Sequence, residues 1–313
     1  MPFHKKTQKF NAKINTVTIG TGNRTVTFGG SNTFPFYSFD APTEHTAKVG
    51  IEICDGGSDT MPDCLKSYYE GCTCMADIAK RAIGFEGVDF LVLNLEGGDP
   101  NGENKTVEEL LAVIKETADA VDFPLAVKGC DHIEKDEELL VKAAELLRGR
   151  NVLLLSAKEE NYQAIAKGAG LAYGQLVGAE SSVDINLAKQ LNVVTTQSGV
   201  SEQKIVMNLG SAAVGYGYEY LVSTLDRVKI AALGQNDNML QMPVILPVAC
   251  ETWNVKESTA TQEDMPEWGP VQERGIAMEI TTAAANLAAG ADAVILRHPE
   301  SVSTISAMIR ELA

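Results

Sequence analysis

Positive charge is what this chain has least of: 26 lysines and arginines face 42 aspartates and glutamates, a formal net charge of −16. Nucleic acid and anionic membrane surfaces both require a basic footprint, so neither is expected as a partner. Long apolar runs are also missing. None reaches the roughly 18 residues of a membrane span, and residues 1–10 are basic but polar, unlike a secretory leader. The expectation is a soluble, cytoplasmic protein. Cysteines stand at Cys54, Cys64, Cys72, Cys74, Cys130 and Cys250. No two form a C-x-x-C pair, and the spacing offers no framework for a small disulfide-stapled fold. The loop holding Cys64, Cys72 and Cys74 is therefore a poor cluster site. H-E-x-x-H, a dinucleotide fingerprint after a strand and G-x-S-x-G are all absent, and no Ser/His/Asp set assembles by spacing.

What is present is an alternation. Apolar runs at 49–54, 90–95, 124–129, 152–156, 172–177, 204–209, 244–249 and 293–297 each lead into an amphipathic helical stretch. Near-continuous apolar runs suit strands buried on both faces, and eight such units predict an α/β fold, a (β/α)8 TIM barrel. A barrel needs about 250 residues, so the surplus is read as an extension. Residues 14–19 and 25–28 alternate polar and apolar around Gly20-Thr21-Gly22-Asn23, which reads as a β-hairpin. Residues 1–47, hairpin plus an aromatic connector (32–45), should cover the barrel bottom, and 48–313 should form the barrel. Thr106 with Glu109 reads as a capping box, and Ser181 with Asp184 as a similar helix start. The fifth strand is the least regular, because Tyr173-Gly174-Gln175 interrupts it and 193–196 competes for its place.

A barrel places its chemistry on the loops after its strands. There, Gly97 and Gly98 would let backbone approach a ligand, and Asp99 could accept hydrogen bonds. Cys130, Asp131 and His132 follow the third strand, and Cys54 and Cys250 also stand at strand ends, with small packed thiols as the default. Asn208 opens a nearly uncharged loop through Gly215 and Tyr216 that would take a large flat ligand. A long acidic insertion runs to Gln272 and suggests a lid or docking loop. Arg297 should pair with a rim carboxylate. From the residues alone, the rim reads as polar-poor and glycine-rich.

Several stretches together resemble one family. Ser182-Val183-Asp184-Ile185-Asn186-Leu187-Ala188-Lys189-Gln190-Leu191-Asn192, the loop Gly215-Tyr216-Gly217-Tyr218-Glu219-Tyr220 and the closing Arg297-His298-Pro299-Glu300 are similar to the small subunit of the corrinoid iron–sulfur protein, related to the delta subunit of acetyl-CoA decarbonylase/synthase. Pro35-Phe36-Tyr37-Ser38-Phe39-Asp40, Gly98-Asp99-Pro100 and Trp268-Gly269 extend the likeness along the chain. The resemblance implies a heterodimeric methyl carrier of the reductive acetyl-CoA (Wood–Ljungdahl) pathway of carbon fixation. Its corrinoid (cobalamin) lies between this barrel and a large subunit, which alone carries a [4Fe–4S] cluster. The implied partners are that large subunit, a methyltetrahydrofolate:corrinoid methyltransferase and acetyl-CoA synthase/CO dehydrogenase. It further implies that this chain supplies no catalytic residue and no metal ligand. The residues expected near the corrinoid are Gly97, Asp99, Ser181, Asn208, Gly215 and Tyr216; Asn208 stands where the family usually has Asp. A pterin-dependent methyltransferase on the same barrel, using Asp99 and Asn208, is the alternative, and a scaffold that only docks other subunits is the third reading.

Overall fold

A computed structural model describes residues 7–37 and 40–312. Ser38 and Phe39 of the connector, the basic start 1–6 and the last residue lie outside the described residues. The barrel strands are β3 (Lys48–Cys54), β4 (Phe90–Asn94), β5 (Leu125–Lys128), β6 (Leu153–Ala157), β7 (Leu176–Glu180), β8 (Ile205–Asn208), β9 (Val244–Leu246) and β10 (Ala293–Leu296). All neighbours pair in parallel, and β10 returns to β3, so the sheet closes. β1 (Thr16–Thr21) and β2 (Arg24–Gly29) form a separate antiparallel hairpin. The helices are α1 (Asp63–Lys66), α2 (Met75–Ala82), α3 (Val107–Ala120), α4 (Ile133–Leu146), α5 (Tyr162–Ile165), α6 (Ile185–Gln197), α7 (Tyr218–Lys229), α8 (Val248–Thr252), α9 (Lys256–Thr259), α10 (Val271–Ala289) and α11 (Pro299–Leu312). The TIM barrel and the hairpin read from the sequence are both present.

Two cores follow from the period of two along each strand. Outward residues such as Val49, Ile51, Leu91, Leu93 and Leu154 join the helices in a large shell. Inward residues Phe90, Val92, Ala126, Leu153, Leu155, Leu176, Val206, Ile245, Ala293 and Ile295 fill the barrel, in one cluster with Val17, Ile19, Val26 and Phe28 of the hairpin. The hairpin meets the ends where strands begin. Gly20 N donates to Asn151 O (2.9 Å) and Asn15 N to Gln241 O (2.6 Å), just ahead of β6 and β9.

Two local expectations needed correction. The fifth barrel strand runs from Leu176 to Glu180, not 172–177. Residues 172–173 are still helical, Gly174 (φ +67°) ends that helix, and Gln175 N donates back to Ala169 O (3.2 Å), so the strand begins only at Leu176. The Gln175 side chain ties the start of the strand to its neighbours, with Oε1 accepting from Val152 N (2.8 Å) and Nε2 donating to Ala144 O (3.1 Å) and Leu147 O (3.0 Å). The strand holds Gly178 because a Cβ there would come 2.4 Å from Leu155 Cδ2. Residues 193–196 lie within α6 instead. The cap of α6 is also Asp184 rather than Ser181: its carboxylate accepts from Asn186 N (2.7 Å) and Leu187 N (3.2 Å). Positive φ at Ser182 and Val183 turns the chain between the two. The capping box on α3 is formed, with Thr106 N donating to Glu109 Oε2 (2.7 Å) and Glu109 N to Thr106 Oγ1 (3.2 Å).

Candidate functional site at the barrel mouth

The same alternation that fills the barrel with carbon changes character one step before the mouth. Two residues beyond inward apolar or glycine positions stand Glu52, Asn94, Lys128, Glu180, Asn208 and Arg297, each in or just past a different one of six strands. Arg297 donates to Glu52 Oε1 from Nη2 (2.6 Å) and Nε (3.0 Å), and lies 3.8 Å from Glu96. Cys250 Sγ donates to the other oxygen of Glu52 (3.5 Å). A second chain of contacts crosses the opposite side. Lys128 Nζ donates to Asp131 Oδ2 (2.6 Å), Lys158 Nζ to Asp131 Oδ1 (3.0 Å), and Lys158 reaches Glu180 at 3.4 Å. Asn208 Nδ2 then donates to Glu180 Oε2 (3.0 Å) and Ser156 Oγ (2.8 Å).

Electrostatics match this closure. Burial works against the Lys128 charge, but the carboxylates of Asp131 and Glu52 beside it outweigh that and hold its pKa above the ordinary value. Burial would likewise raise Asp131, yet Lys128 and Lys158 keep it below the usual carboxylate range. Burial pushes both mouth thiols well up: Cys54 despite Arg297, and Cys250 with Glu52 adding to the effect. A thiol so raised stays protonated and is no nucleophile at neutral pH.

The sequence-predicted residues divide among several duties. Asn208 is buried and central to the polar layer; its Oδ1 also accepts from Gly210 N (3.0 Å). Ser181 is 1% exposed, and its Oγ has no partner among the described residues. Gly97 is buried with its N–H donated to Asp55 Oδ1 (2.9 Å), and a Cβ there would lie 2.4 Å from Asp55 Oδ2. Asp55 is held in turn by Lys105 (2.8 Å). Asp99 caps its own loop, accepting from Asn101 N (2.8 Å). Gly215 lies in open space and Tyr216 is exposed, its hydroxyl donating to Glu257 Oε2 (2.6 Å). His132 caps α4, and Cys130 is a buried thiol on Asp136 (3.2 Å). Among the described residues, no group of three or more His, Cys, Asp or Glu is placed to hold a metal ion.

The expected polar-poor rim is therefore overturned. Glycine-rich loops surround the mouth, but the mouth itself is a charged and amide layer. Glu52, Asn94, Lys128, Ser156 and Glu180 were missed because they sit inside or beside apolar runs. The available signal was an ionisable or amide residue in step with inward positions. The pairing expected of Arg297 is present, with Glu52 as the carboxylate.

Residues 16–309 match the family described as the CO dehydrogenase/acetyl-CoA synthase delta subunit. The chain belongs to that family. The acetyl-CoA decarbonylase/synthase complex subunit delta of Archaeoglobus fulgidus is 31% identical over 300 residues, 94% of this chain and 65% of that protein. Subunit delta of Methanopyrus kandleri is 30% identical over 94% of this chain and 72% of its own length. The chain thus spans about two thirds of the first relatives, 65% and 67%. Among solved structures, the dihydropteroate synthases of Vibrio fischeri (TM-score 0.57, 10% identity, 94% of this chain, 97% of that one) and Xanthomonas albilineans (TM-score 0.56, 13% identity, 95% and 98%) share the barrel. At that identity the likeness is one of fold. No helix among the described residues is long and apolar enough to cross a membrane.

Proposed function

We propose that this chain is the barrel subunit of a corrinoid iron–sulfur methyl carrier. It covers the corrinoid of a large partner subunit while methyl passes from a methyltetrahydrofolate methyltransferase to acetyl-CoA synthase. Family membership supplies the class. The observation that carries the division of labour is the internal pairing of the mouth: its lysines and Arg297 are committed to carboxylates of this chain, and its two thiols are held neutral. Such a surface offers neither a free acid–base pair nor a thiolate.

The residues present fit a large, amide-fringed macrocycle. Three partly or fully buried polar atoms on or beside this face, Asn94 Oδ1, Ser181 Oγ and Ser211 Oγ, have no partner among the described residues. Unpaired buried polar atoms are costly, which makes these natural contacts for a ligand's amide groups. A bound corrinoid supplies the methyl-accepting cobalt. Asn94, Ser181 and Ser211 would orient its edge, the small-residue loop through Gly215 would lie along it, and Tyr216 would border it. The closed polar layer beneath excludes bulk water from that side.

The test is anaerobic co-purification of this chain with the large subunit, assaying cobalt and iron on each separated chain. Corrinoid should remain with the pair, with iron on the large subunit only. Cobalt or iron bound tightly by this chain alone, or methyl transfer by it without a companion, would refute the proposal.

A further inference from the structure

We propose that Glu279, buried in α10 behind the barrel wall, is a positioning residue that aims the Arg297 guanidinium at Glu52 in the mouth. The proposal rests on the carrier reading for the use made of that pair, which closes the wall beneath the corrinoid. Glu279 is 0% exposed and joins no ion pair among the described residues. Consecutive backbone amides take both its oxygens instead: Oε1 accepts from Arg297 N (2.6 Å) and Oε2 from His298 N (3.1 Å). Those amides need a partner because the barrel ladder has run out. β10 pairs with β9 only as far as Val294 and with β3 only as far as Leu296. A buried N–H left unpaired is costly. A carboxylate accepts from both at once, where a carboxamide would turn its own NH2 toward one of them.

A buried carboxylate with no countercharge is an expensive acceptor if stability alone is at stake. Burial raises its pKa against the pull of the Arg297 and His298 amides and the Ser301 and Trp253 side chains. What the cost secures is direction. Arg297 is the first residue beyond the strand, so the setting of its peptide decides where its side chain emerges. There Nη2 and Nε reach Glu52 Oε1 at 2.6 and 3.0 Å. The helix side of the contact is fixed as tightly. Gly275, one turn before Glu279 on α10, has no room for a Cβ, which would stand 2.4 Å from Trp253 Cζ3. Trp253 in turn stacks on His298, with ring centroids 6.0 Å apart and planes at 22°. α10 therefore meets the end of β10 at one set distance.

The experiment has two readouts. One is solvent exchange of the Arg297 Nε–H, followed by NMR on the full chain carrying isotopically labelled arginine. The other is corrinoid release from the chain reconstituted with the large subunit. Glu279→Gln should speed both about tenfold, because the charge-assisted bonds from Arg297 to Glu52 loosen. Gly275→Ala, which shifts α10 without altering a charge, should speed both severalfold. Phe28→Leu, destabilised at the far end of the barrel, should change neither, which separates aiming from general loosening. Wild-type exchange in Glu279→Gln and Gly275→Ala, or equal acceleration in Phe28→Leu, would overturn the positioning role. Should Glu279→Gln not fold, Gly275→Ala decides by the same criterion. If the wild-type pair holds no corrinoid while Arg297 exchange responds as stated, the carrier reading falls and the positioning role stands.

Discussion

The two ends of this barrel solve opposite problems with the same strands. At the bottom, Val17, Ile19, Val26 and Phe28 of the hairpin continue the apolar filling of the interior, and the end is closed with carbon. At the top, the inward positions become Glu52, Asn94, Lys128, Glu180, Asn208 and Arg297, and the end is closed by charge pairing. The first kind of closure stabilises by burying apolar area. The second gives little net stability, since desolvation offsets much of the attraction. A polar layer kept at the working rim points to function there, and the plug below supplies the stability that tolerates it.

The sharpest way to break that comparison is substitution at each end. Phe28 is fully buried, so Phe28→Ala should cost about 4 kcal/mol through lost burial and a cavity, read by denaturant titration. It should leave partner binding unchanged where the protein remains folded. Arg297→Ala should cost about 3 kcal/mol by stranding Glu52, whereas Glu52→Leu/Arg297→Met should recover most of that loss. Corrinoid retention by the reconstituted pair should not recover in the double variant. Stability and retention returning together would show that the pair is only structural.

Two glycines sharpen the contrast further. Gly29 (φ +84°) ends β2, and a Cβ there would stand 2.1 Å from Asn15 O and 3.3 Å from Pro243 Cβ, just ahead of β9; Gly215 (φ +92°) has nothing within 4 Å. Gly215→Ala should cost about 1 kcal/mol of backbone strain, and Gly29→Ala clearly more, because the clash adds to the same strain. Equal losses in paired thermal melts would contradict the assignment of a tight bottom and an open top.

The smallest effect is one of pH. Burial lowers the pKa of His298, which is stacked on Trp253, against the opposing pull of Glu300. The folded state therefore prefers neutral imidazole, and the unfolded state binds the proton more readily. This contribution is complete above the ordinary value of about 6.5 and is lost as pH falls toward the depressed folded value. Tm should decline on that acid side, and His298→Asn should flatten the decline there.

Much of the fold was legible because most strand runs carry their burial in composition. Phe90, Leu91, Val92 and Leu93 are all buried, as a strand between a filled barrel and a helical shell must be. The fifth strand was misplaced because Gly178 and Glu180 look unlike core residues: one makes room for Leu155 and the other faces the mouth. The site was less legible for a related reason. Asn208 was found because it opens a loop, while Glu52 and Lys128 were hidden in apolar runs whose closure into a ring brings them together. Gly97 and Asp99 were chosen for loop chemistry that the structure spends on Asp55 and on the local turn.

The most direct test follows reduced corrinoid on the large subunit with and without this chain, recording its visible absorbance as buffer carrying trace oxygen is admitted. If the barrel mouth is an internally paired wall over the macrocycle, adding the chain should slow reoxidation severalfold, with no new absorbance assignable to a ligand from this subunit. An unchanged rate with the complex fully assembled would contradict the account at its centre.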